Sequence, residues 1–300
     1  MKRLIRRKLP VRRQASARSG LLQRSMVSPL RGQQAGIRKI LDAPGKENSA
    51  QQIQRVIRTG GPDLSPYLLS KGVHGFSNPA SSNTYSTTGI YYDPVMSRQI
   101  LHAMLSSGRS FEVKGKTNSA ASKNLDAHVK ARKGVVDLSA KKKFGFATGV
   151  RVIMNTKYWT PHYYWQNGQF KVRWWYKKGV DKLKAMQDAY QNSARYRVAC
   201  WAGTKMTMHA GSGSMSLVTD KSVSPMDWVP GDWGYIENTR HNGTPGQEGM
   251  NLIYVGNNSF WGHTSSAVSY DTLTGWEIVV AGWGKDKLMG WRRRTGVGLY

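Results

Sequence analysis

From Phe144 onwards the chain alternates short apolar runs with Gly, Asn and Pro, a pattern typical of β-strands joined by tight turns. Two aromatic runs, Thr156–Tyr164 and Phe170–Tyr176, flank the dipeptide Asn167-Gly168, and this arrangement predicts a β-hairpin. Five later runs predict strands at Trp233–Glu237, Asn251–Val255, Ser259–His263, Ala267–Tyr270 and Trp276–Ala281. The second half of the chain is therefore predicted to contain an antiparallel sheet.

Helical spacing of apolar residues predicts helices before this sheet. One covers Asp181–Asn192, and a second opens near Cys200 and continues through Met208 to the stop Gly211-Ser212-Gly213. A third begins at Asp93-Pro94, with Pro just inside the start, and ends at about Leu105. Helices followed by an antiparallel sheet indicate an α+β fold.

The first half of the chain is more polar and strongly basic. Twelve Lys or Arg residues precede the first acidic residue, Asp42, and a second basic region between Lys114 and Lys143 is predicted to be loop with some helix. Blocks of like charge favour solvated, poorly ordered chain. The sequence therefore predicts a basic, largely disordered leader over residues 1–70, with a short helix at Ser49–Arg58, then a helical and loop lead-in over 71–142 and a catalytic domain over 143–300.

The net charge of +28 predicts attraction to anionic partners. Aromatics interleaved with cations at Arg173–Lys178 allow nucleic-acid binding, although a strand with core aromatics explains the same run. No apolar run approaches the roughly 20 residues that span a bilayer. The Arg-rich start lacks the apolar stretch of a Sec signal peptide, so an organellar presequence and a tail read by a dedicated secretion system both stay open. The compartment is not predicted.

Cys200 is the one cysteine in the chain, and it lies where an apolar entry meets the predicted helix. A thiol at a helix N-terminus is favoured as thiolate, although a buried structural cysteine fits the position as well. The turn Gly256-Asn257-Asn258 folds His263 back towards Met250–Leu252. Cysteine on a helix and histidine on a following sheet is the arrangement of papain-like acyl transferases. Without His or carboxylate pairs at ligand spacing, no zinc site is predicted.

The order of these features resembles the bacterial protein-glutamine γ-glutamyltransferase family, the spore-coat type of transglutaminase. The matching elements run in order through Asn155–Trp159, Asn167–Val172, the helix Asp181–Asn192, Ser193–Ala202, Gly231-Asp232, Asn251–Gly256 and Phe260–His263. The resemblance extends from about Lys143 to His263, and the first 140 residues find no counterpart in it. It implies a papain-like, NlpC/P60-like fold with a central antiparallel sheet.

The resemblance implies that Cys200 is the nucleophile and that His263 is the site histidine. The thiolate would attack a glutamine side-chain amide, release ammonia and leave a thioester. A lysine amine would then form an isopeptide bond, or water would form glutamate. Protein substrates with exposed Gln and Lys are the implied partners, and no cofactor is implied.

Two residues depart from the family pattern. The family has Glu where this chain has Ala199, and a second Glu where it has Met250. Glu248 is the nearest substitute: it lies two residues upstream, about 7 Å away along an extended strand. A bulge at Gly249 would bring it into place. Other possible third residues are Asp232, Glu237 and Asp271, and without any of them His263 acts as the base or the domain is inactive.

The sequence therefore predicts acyl transfer on protein glutamine: cross-linking, amine attachment or deamidation. The basic leader adds the hypothesis of an effector delivered into another cell. Two alternatives stay open, a cell-wall cysteine amidase or peptidase of the NlpC/P60 type and a basic nucleic-acid-binding protein.

Overall fold

The protein divides into two units, Met1–Gln52 and Ile53–Tyr300. A computed structural model describes residues 56–77, 84–87, 91–107, 109–166, 168–216, 218–220, 227–238, 246–265, 269–283 and 291–295, all in the second unit. The first 55 residues of the predicted leader therefore lie outside the described residues.

A six-stranded sheet forms the centre of this unit. Its members are β8 (Val218–Asp220), β9 (Trp233–Glu237), β10 (Gly249–Gly256), β11 (Ser259–Gly262), β12 (Tyr270–Asp271) and β13 (Trp291–Thr295). They lie in the order β12-β11-β10-β9-β13-β8, and every neighbouring pair is antiparallel. Together with the helices, this sheet confirms the predicted α+β class, and strands β9 to β11 follow the predicted positions closely.

Helices cover both faces of the sheet. Their bounds are α1 (Ser65–Ser70), α2 (Met96–Ser106), α3 (Asn118–Ala140), α4 (Lys182–Gln191), α5 (Cys200–Ser212) and α6 (Leu273–Ala281). On one face, Val135 of α3 and Met208 of α5 pack on Trp233 and Ile253. On the other face, α6 packs its Trp276 among apolar strand residues. None of the helices in the described ranges is long and apolar enough to cross a bilayer.

The residues before α3 build a smaller layer of their own. Strands β1 (Val56–Arg58), β2 (Thr84–Tyr85) and β3 (Ser110–Glu112) form a sheet in the order β2-β1-β3. Ile57 and Leu68 are fully buried there with residues of α2 and α3. Val56–Arg58, which the sequence analysis placed in a helix, is thus a strand, while residues 49–55 lie outside the described part. The domain boundaries at residues 70 and 142 stay a prediction.

Helix α3 occupies most of the basic segment that was predicted to be mainly loop. Its buried positions recur at helical spacing, but three of them carry the polar residues His128, Arg132 and Ser139. Because these residues are polar, the hydrophobic periodicity of the sequence does not reveal the buried face of the helix. Thr117 caps the start, because its side chain accepts a hydrogen bond from the Ala120 backbone.

The strand predicted at Trp276–Ala281 is wrong, because this run forms helix α6. Short apolar runs do not distinguish a strand from a buried helix by periodicity alone. The local signal is Thr272, whose hydroxyl accepts a 3.1 Å hydrogen bond from the Gly275 N–H and caps the helix.

The predicted hairpin is confirmed as β5 (Trp159–Gln166) and β6 (Gln169–Tyr176). The strands pair without interruption from Trp159 opposite Tyr176 to Gln166 opposite Gln169. Gly168 adopts a φ of +69°, the left-handed conformation that this two-residue turn requires. At its base the hairpin packs on α4 and on the segment leading to Cys200.

Candidate active site

Cys200 is the first residue of α5 and is half-buried. Just before the helix, Arg197–Val198 (β7) pairs with Gly145–Phe146 (β4), and Val198 is fully buried. Ala199 precedes the helix in an extended conformation without a side-chain cap. The N–H groups of the first turn therefore stay available beside the sulfur.

A buried carboxylate fixes the segment that leads into Cys200. Asp188 of α4 accepts hydrogen bonds from Asn155 Nδ2 at 2.7 Å and from the Tyr196 hydroxyl at 2.6 Å. Because Asp188 is 3% exposed, these bonds are sheltered from water and hold Tyr196 in place. These hydrogen bonds fix the position of β7, which in turn positions Cys200.

Asn251 of β10 is the polar side chain directly at the sulfur. Its Nδ2 lies 3.5 Å from Cys200 Sγ, and its Oδ1 accepts a 3.0 Å hydrogen bond from Trp233 Nε1. Indole N–H is a donor only, so the Trp233 contact fixes the amide with Nδ2 towards the sulfur. The Gly249 carbonyl oxygen lies 3.9 Å from Sγ on the same strand.

Opposing effects act on the pKa of Cys200. Burial raises the pKa of the thiol, and the charge of Glu248 adds to this increase. Hydrogen bonds from the Asn251 side chain and from the backbone N–H groups of Asn251 and Trp201 lower it, but burial is the stronger effect. The free thiol is therefore predominantly protonated at neutral pH, and the reaction needs a proton acceptor.

Cys200 opens into a cleft of about 1440 Å³. Its lining includes residues 148–152 and β6, together with Cys200, Trp201 and residues of strands β9 and β10. Two carboxylates, Glu237 and Glu248, and the basic residues Arg151 and Lys171 are among the lining residues. The cleft thus brings a thiol together with acidic and basic groups.

Glu248 reaches the cleft without the predicted bulge. Gly249 pairs in continuous register with Glu237, and it adopts a φ of +153° that favours glycine. One carboxylate oxygen of Glu248 accepts a 2.8 Å hydrogen bond from the Gly246 N–H. The Glu248 carbonyl also accepts a 2.9 Å bond from the Tyr235 hydroxyl, which fixes the backbone at this point.

Met250, at the position of the family Glu, is buried in an apolar cluster. It is 2% exposed and packs with Ile236, Leu252 and Trp276, and Cys200 contacts the edge of this cluster. A carboxylate here would be desolvated on its apolar side. The chain therefore places its nearby carboxylates on the cleft side of the strands.

Asp232 and Asp271 have other partners. Asp232 is fully buried and forms ion pairs of 2.6 Å with Arg109 and 2.8 Å with Arg132. Its Oδ2 also accepts the Val229 N–H at 2.9 Å, so it fixes the turn before β9. Asp271 Oδ1 accepts a 2.7 Å bond from the Thr272 N–H at the start of α6. Neither carboxylate is among the residues that line the cleft.

His263 lies beside α5 but not among the residues that line the cleft. It is fully buried, with its Nε2 at 3.0 Å from the Val198 carbonyl oxygen. Burial, with the nearby charge of Lys142, lowers the pKa of His263 to about 3, so the neutral ring donates through Nε2–H. Its ring packs so closely on Gly203 that a Cβ there would lie 2.3 Å from His263 Cδ2.

Sequence reasoning missed Asn251 and Trp233 as parts of the site. Asn251 is a polar residue inside the otherwise apolar run Met250–Val255. A buried polar side chain needs a hydrogen-bond partner, so this position could have indicated a polar contact near the site. Within the part of the chain that the structure describes, no group of three or more His, Cys, Asp or Glu side chains is placed to hold a metal ion.

Comparison with known proteins finds one matching family model. The family model "Protein-glutamine gamma-glutamyltransferase" matches residues 81–223, just under half of the chain, including Cys200. This match starts well before Lys143, so the resemblance begins earlier than predicted, while its predicted extension to His263 lies beyond the match.

Among solved structures, a transglutaminase from Geobacillus stearothermophilus, without its C-terminal extension, is similar at 20% identity and a TM-score of 0.43. The alignment covers 57% of this chain and 92% of that one. Comparison with curated proteins gives no match. Residues 81–223 of the chain, which include its single cysteine Cys200, are thus similar to the protein-glutamine gamma-glutamyltransferase family.

Proposed function

We propose that Cys200 is the nucleophile that carries the γ-glutamyl group of a protein glutamine as a thioester. The observation that carries this proposal is the environment of Sγ: the start of α5 and the Asn251 amide nitrogen at 3.5 Å, inside a cleft that holds two carboxylates. A cysteine on a helix packed against an antiparallel sheet is also the reason to propose a papain-like, NlpC/P60-like arrangement for this core.

The proposed first half-reaction forms the thioester. Glu248 takes the thiol proton, the sulfur attacks the carbon of the glutamine carboxamide, and its oxygen becomes an oxyanion. The N–H groups at the start of α5 stabilise this oxyanion, together with Asn251 Nδ2. The carbon–nitrogen bond then breaks, and Glu248 returns the proton to the leaving nitrogen, which departs as ammonia.

The second half-reaction resolves the thioester. A neutral lysine amine attacks the thioester carbon, loses its proton to Glu248, and displaces the sulfur to give an isopeptide bond and the thiol. Water in place of the amine gives glutamate, so cross-linking and deamidation share one intermediate. Proteins that expose Gln and Lys side chains are the substrates of this scheme.

Glu248 is proposed as the proton acceptor, and His263 as a positioning residue. Glu248 lines the cleft and its charge acts on the thiol. His263 is neutral, and its bond to Val198 holds the segment two residues before Cys200. The prediction of His263 as a catalytic residue stays a prediction, because His263 is not among the residues that line the cleft and, within the described residues, reaches it only through its ring contact with Phe146.

Glu248→Gln is expected to lower kcat/KM for ammonia release about a hundredfold, because it removes a general base. Without this base the reaction depends on the thiolate of Cys200, and burial keeps the pKa of the thiol raised in the variant as well. The rising limb of the pH profile should therefore move to higher pH in the variant. Stopped assays of ammonia release between pH 5 and 10 measure both effects. Because the pKa of His263 is about 3, titration of His263 should not change the rate within this pH range.

Glu237→Gln is the matched control, since Glu237 lies opposite Gly249 on the neighbouring strand and lines the same cleft. We expect its kcat/KM and its pH profile to stay close to those of the wild type. The reverse result, a collapse in Glu237→Gln with an active Glu248→Gln, would transfer the proposed role to Glu237.

The basic N-terminal region is proposed to direct delivery of the enzyme into another cell, which would make it an effector. The support is sequence alone: twelve Lys or Arg residues before Asp42, ahead of the family match that starts at residue 81. Deleting residues 1–55 should abolish delivery to recipient cells in a co-culture assay, while amine incorporation by the purified protein stays unchanged. Equal delivery by the two proteins would contradict this part of the proposal.

A further inference from the structure

Strand β6 turns one of its edges towards Cys200. Four consecutive residues, Gln169 to Val172, line the cleft. Successive side chains of a strand point to opposite faces, so a cavity bordered by consecutive residues faces the edge of the strand. Within the described residues, β6 pairs with β5 alone, which leaves this edge without a strand partner.

The register shows which backbone groups lie on that edge. The Lys177 N–H donates to the Tyr158 carbonyl at 2.9 Å, and Tyr163 lies opposite Val172. Hydrogen-bonded and non-hydrogen-bonded pairs alternate along an antiparallel ladder, so the odd-numbered residues of β6 bond to β5. The N–H and C=O groups of Phe170 and Val172 therefore point away from β5, on the edge that borders the cleft.

We propose that the glutamine-bearing substrate binds as an extended segment that adds to the free edge of β6. Its backbone pairs with the outward groups of Phe170 and Val172, and its glutamine side chain reaches Cys200 within the same cleft. This inference rests on the proposed function, because it assigns the donor substrate of the same site.

Edge recognition of this kind fits the chemistry of a protein substrate. Backbone hydrogen bonds supply affinity for an extended chain without demanding a particular sequence. The glutamine side chain is then the part of the substrate that must fit at Cys200, Asn251 and Glu248. The proposal therefore predicts that long glutamine peptides are better donors than short ones, through contacts made on β6.

The test compares two proline variants, each of which removes one outward N–H from a different edge of the hairpin. In Val172→Pro the lost N–H faces the cleft, and proline is tolerated on an edge where the N–H makes no ladder bond. For a ten-residue glutamine peptide we expect kcat/KM for ammonia release to fall about three- to tenfold, the effect of one lost hydrogen bond. For a blocked glutaminyl-glycine dipeptide, which is too short to pair along β6, we expect a smaller loss than for the ten-residue peptide.

Tyr163→Pro is the matched control, since it removes the outward N–H of the cross-strand partner on the far edge of the hairpin. Val172→Ala and Tyr163→Ala separate the loss of each side chain from the loss of its N–H. Unchanged activity of Val172→Pro on the ten-residue peptide, or equal losses in the two proline variants, would overturn the proposal. Absence of ammonia release by the wild type from either substrate would refute the proposed function instead.

A scan of the substrate covers the case in which Val172→Pro fails to fold. Methylating one backbone nitrogen at a time blocks that N–H in the peptide and leaves the enzyme untouched. Pairing with β6 predicts losses of kcat/KM at alternate positions, because alternate N–H groups of an added strand face its partner. Equal kcat/KM for all the methylated peptides would overturn the proposal.

Discussion

Cys200→Ala is expected to abolish both ammonia release and amine incorporation, with a loss of about 10⁴-fold or more in kcat, because no other residue of the chain carries a thiol. The sulfur is the group that forms the proposed thioester, and neither Asn251 nor Glu248 can replace it as the nucleophile. A labelled primary amine and a glutamine-bearing protein such as casein give the measurement.

The control for this variant is its stability. Cys200 is half-buried at the start of a helix, so exchange for alanine should change the thermal unfolding midpoint little compared with its effect on activity. A folded Cys200→Ala protein that still incorporates the amine at the rate of the wild type would remove the basis of the proposed mechanism.

Asp232→Asn is expected to destabilise the protein by about 3–5 kcal/mol, the usual cost of breaking a buried ion pair. Arg132 is fully buried, and Arg109 is 9% exposed, so both guanidinium groups rely on this carboxylate in a dry environment. Arg132 Nε also donates to His128 at 2.6 Å, and burial first of all, with the charge of Arg132, holds the pKa of His128 well below its usual range. Denaturant unfolding measures the loss.

Asp137→Asn is the matched control on the surface of the same helix α3. Its ion pair with Lys133 is an i,i+4 pair in which both side chains are 43% exposed. Removing such a pair changes stability by about 0.5 kcal/mol or less. Equal effects of the two substitutions would show that the buried network around Asp232 does not hold α3 to the sheet.

The prediction from sequence succeeded where one local signal dominates. Asn167-Gly168 between aromatic runs identified the hairpin, and the apolar runs around Gly256–Asn258 identified β10 and β11. Cys200 was correctly placed at the start of a helix that ends at Gly213, which adopts the left-handed conformation. In each case neighbouring residues determine the structure.

The parts that sequence did not predict depend on distant partners. Helix α3 buries Arg132 only because Asp232, a hundred residues later, neutralises it. Asn251 becomes part of the site through the indole of Trp233 on the next strand. His263 packs against α5 and against β7, the strand that precedes this helix. The number of residues between Cys200 and His263 does not predict these contacts.

The most direct test of the central claim is detection of the acyl-enzyme. The full-length protein would be mixed with a glutamine peptide, quenched in acid within the first turnover, digested and analysed by mass spectrometry. The proposed mechanism predicts an adduct on the Cys200 peptide with the mass of the substrate minus ammonia. Its yield should fall when a primary amine is added. Ammonia release without an adduct on Cys200, continuing in the Cys200→Ala protein, would contradict the mechanism.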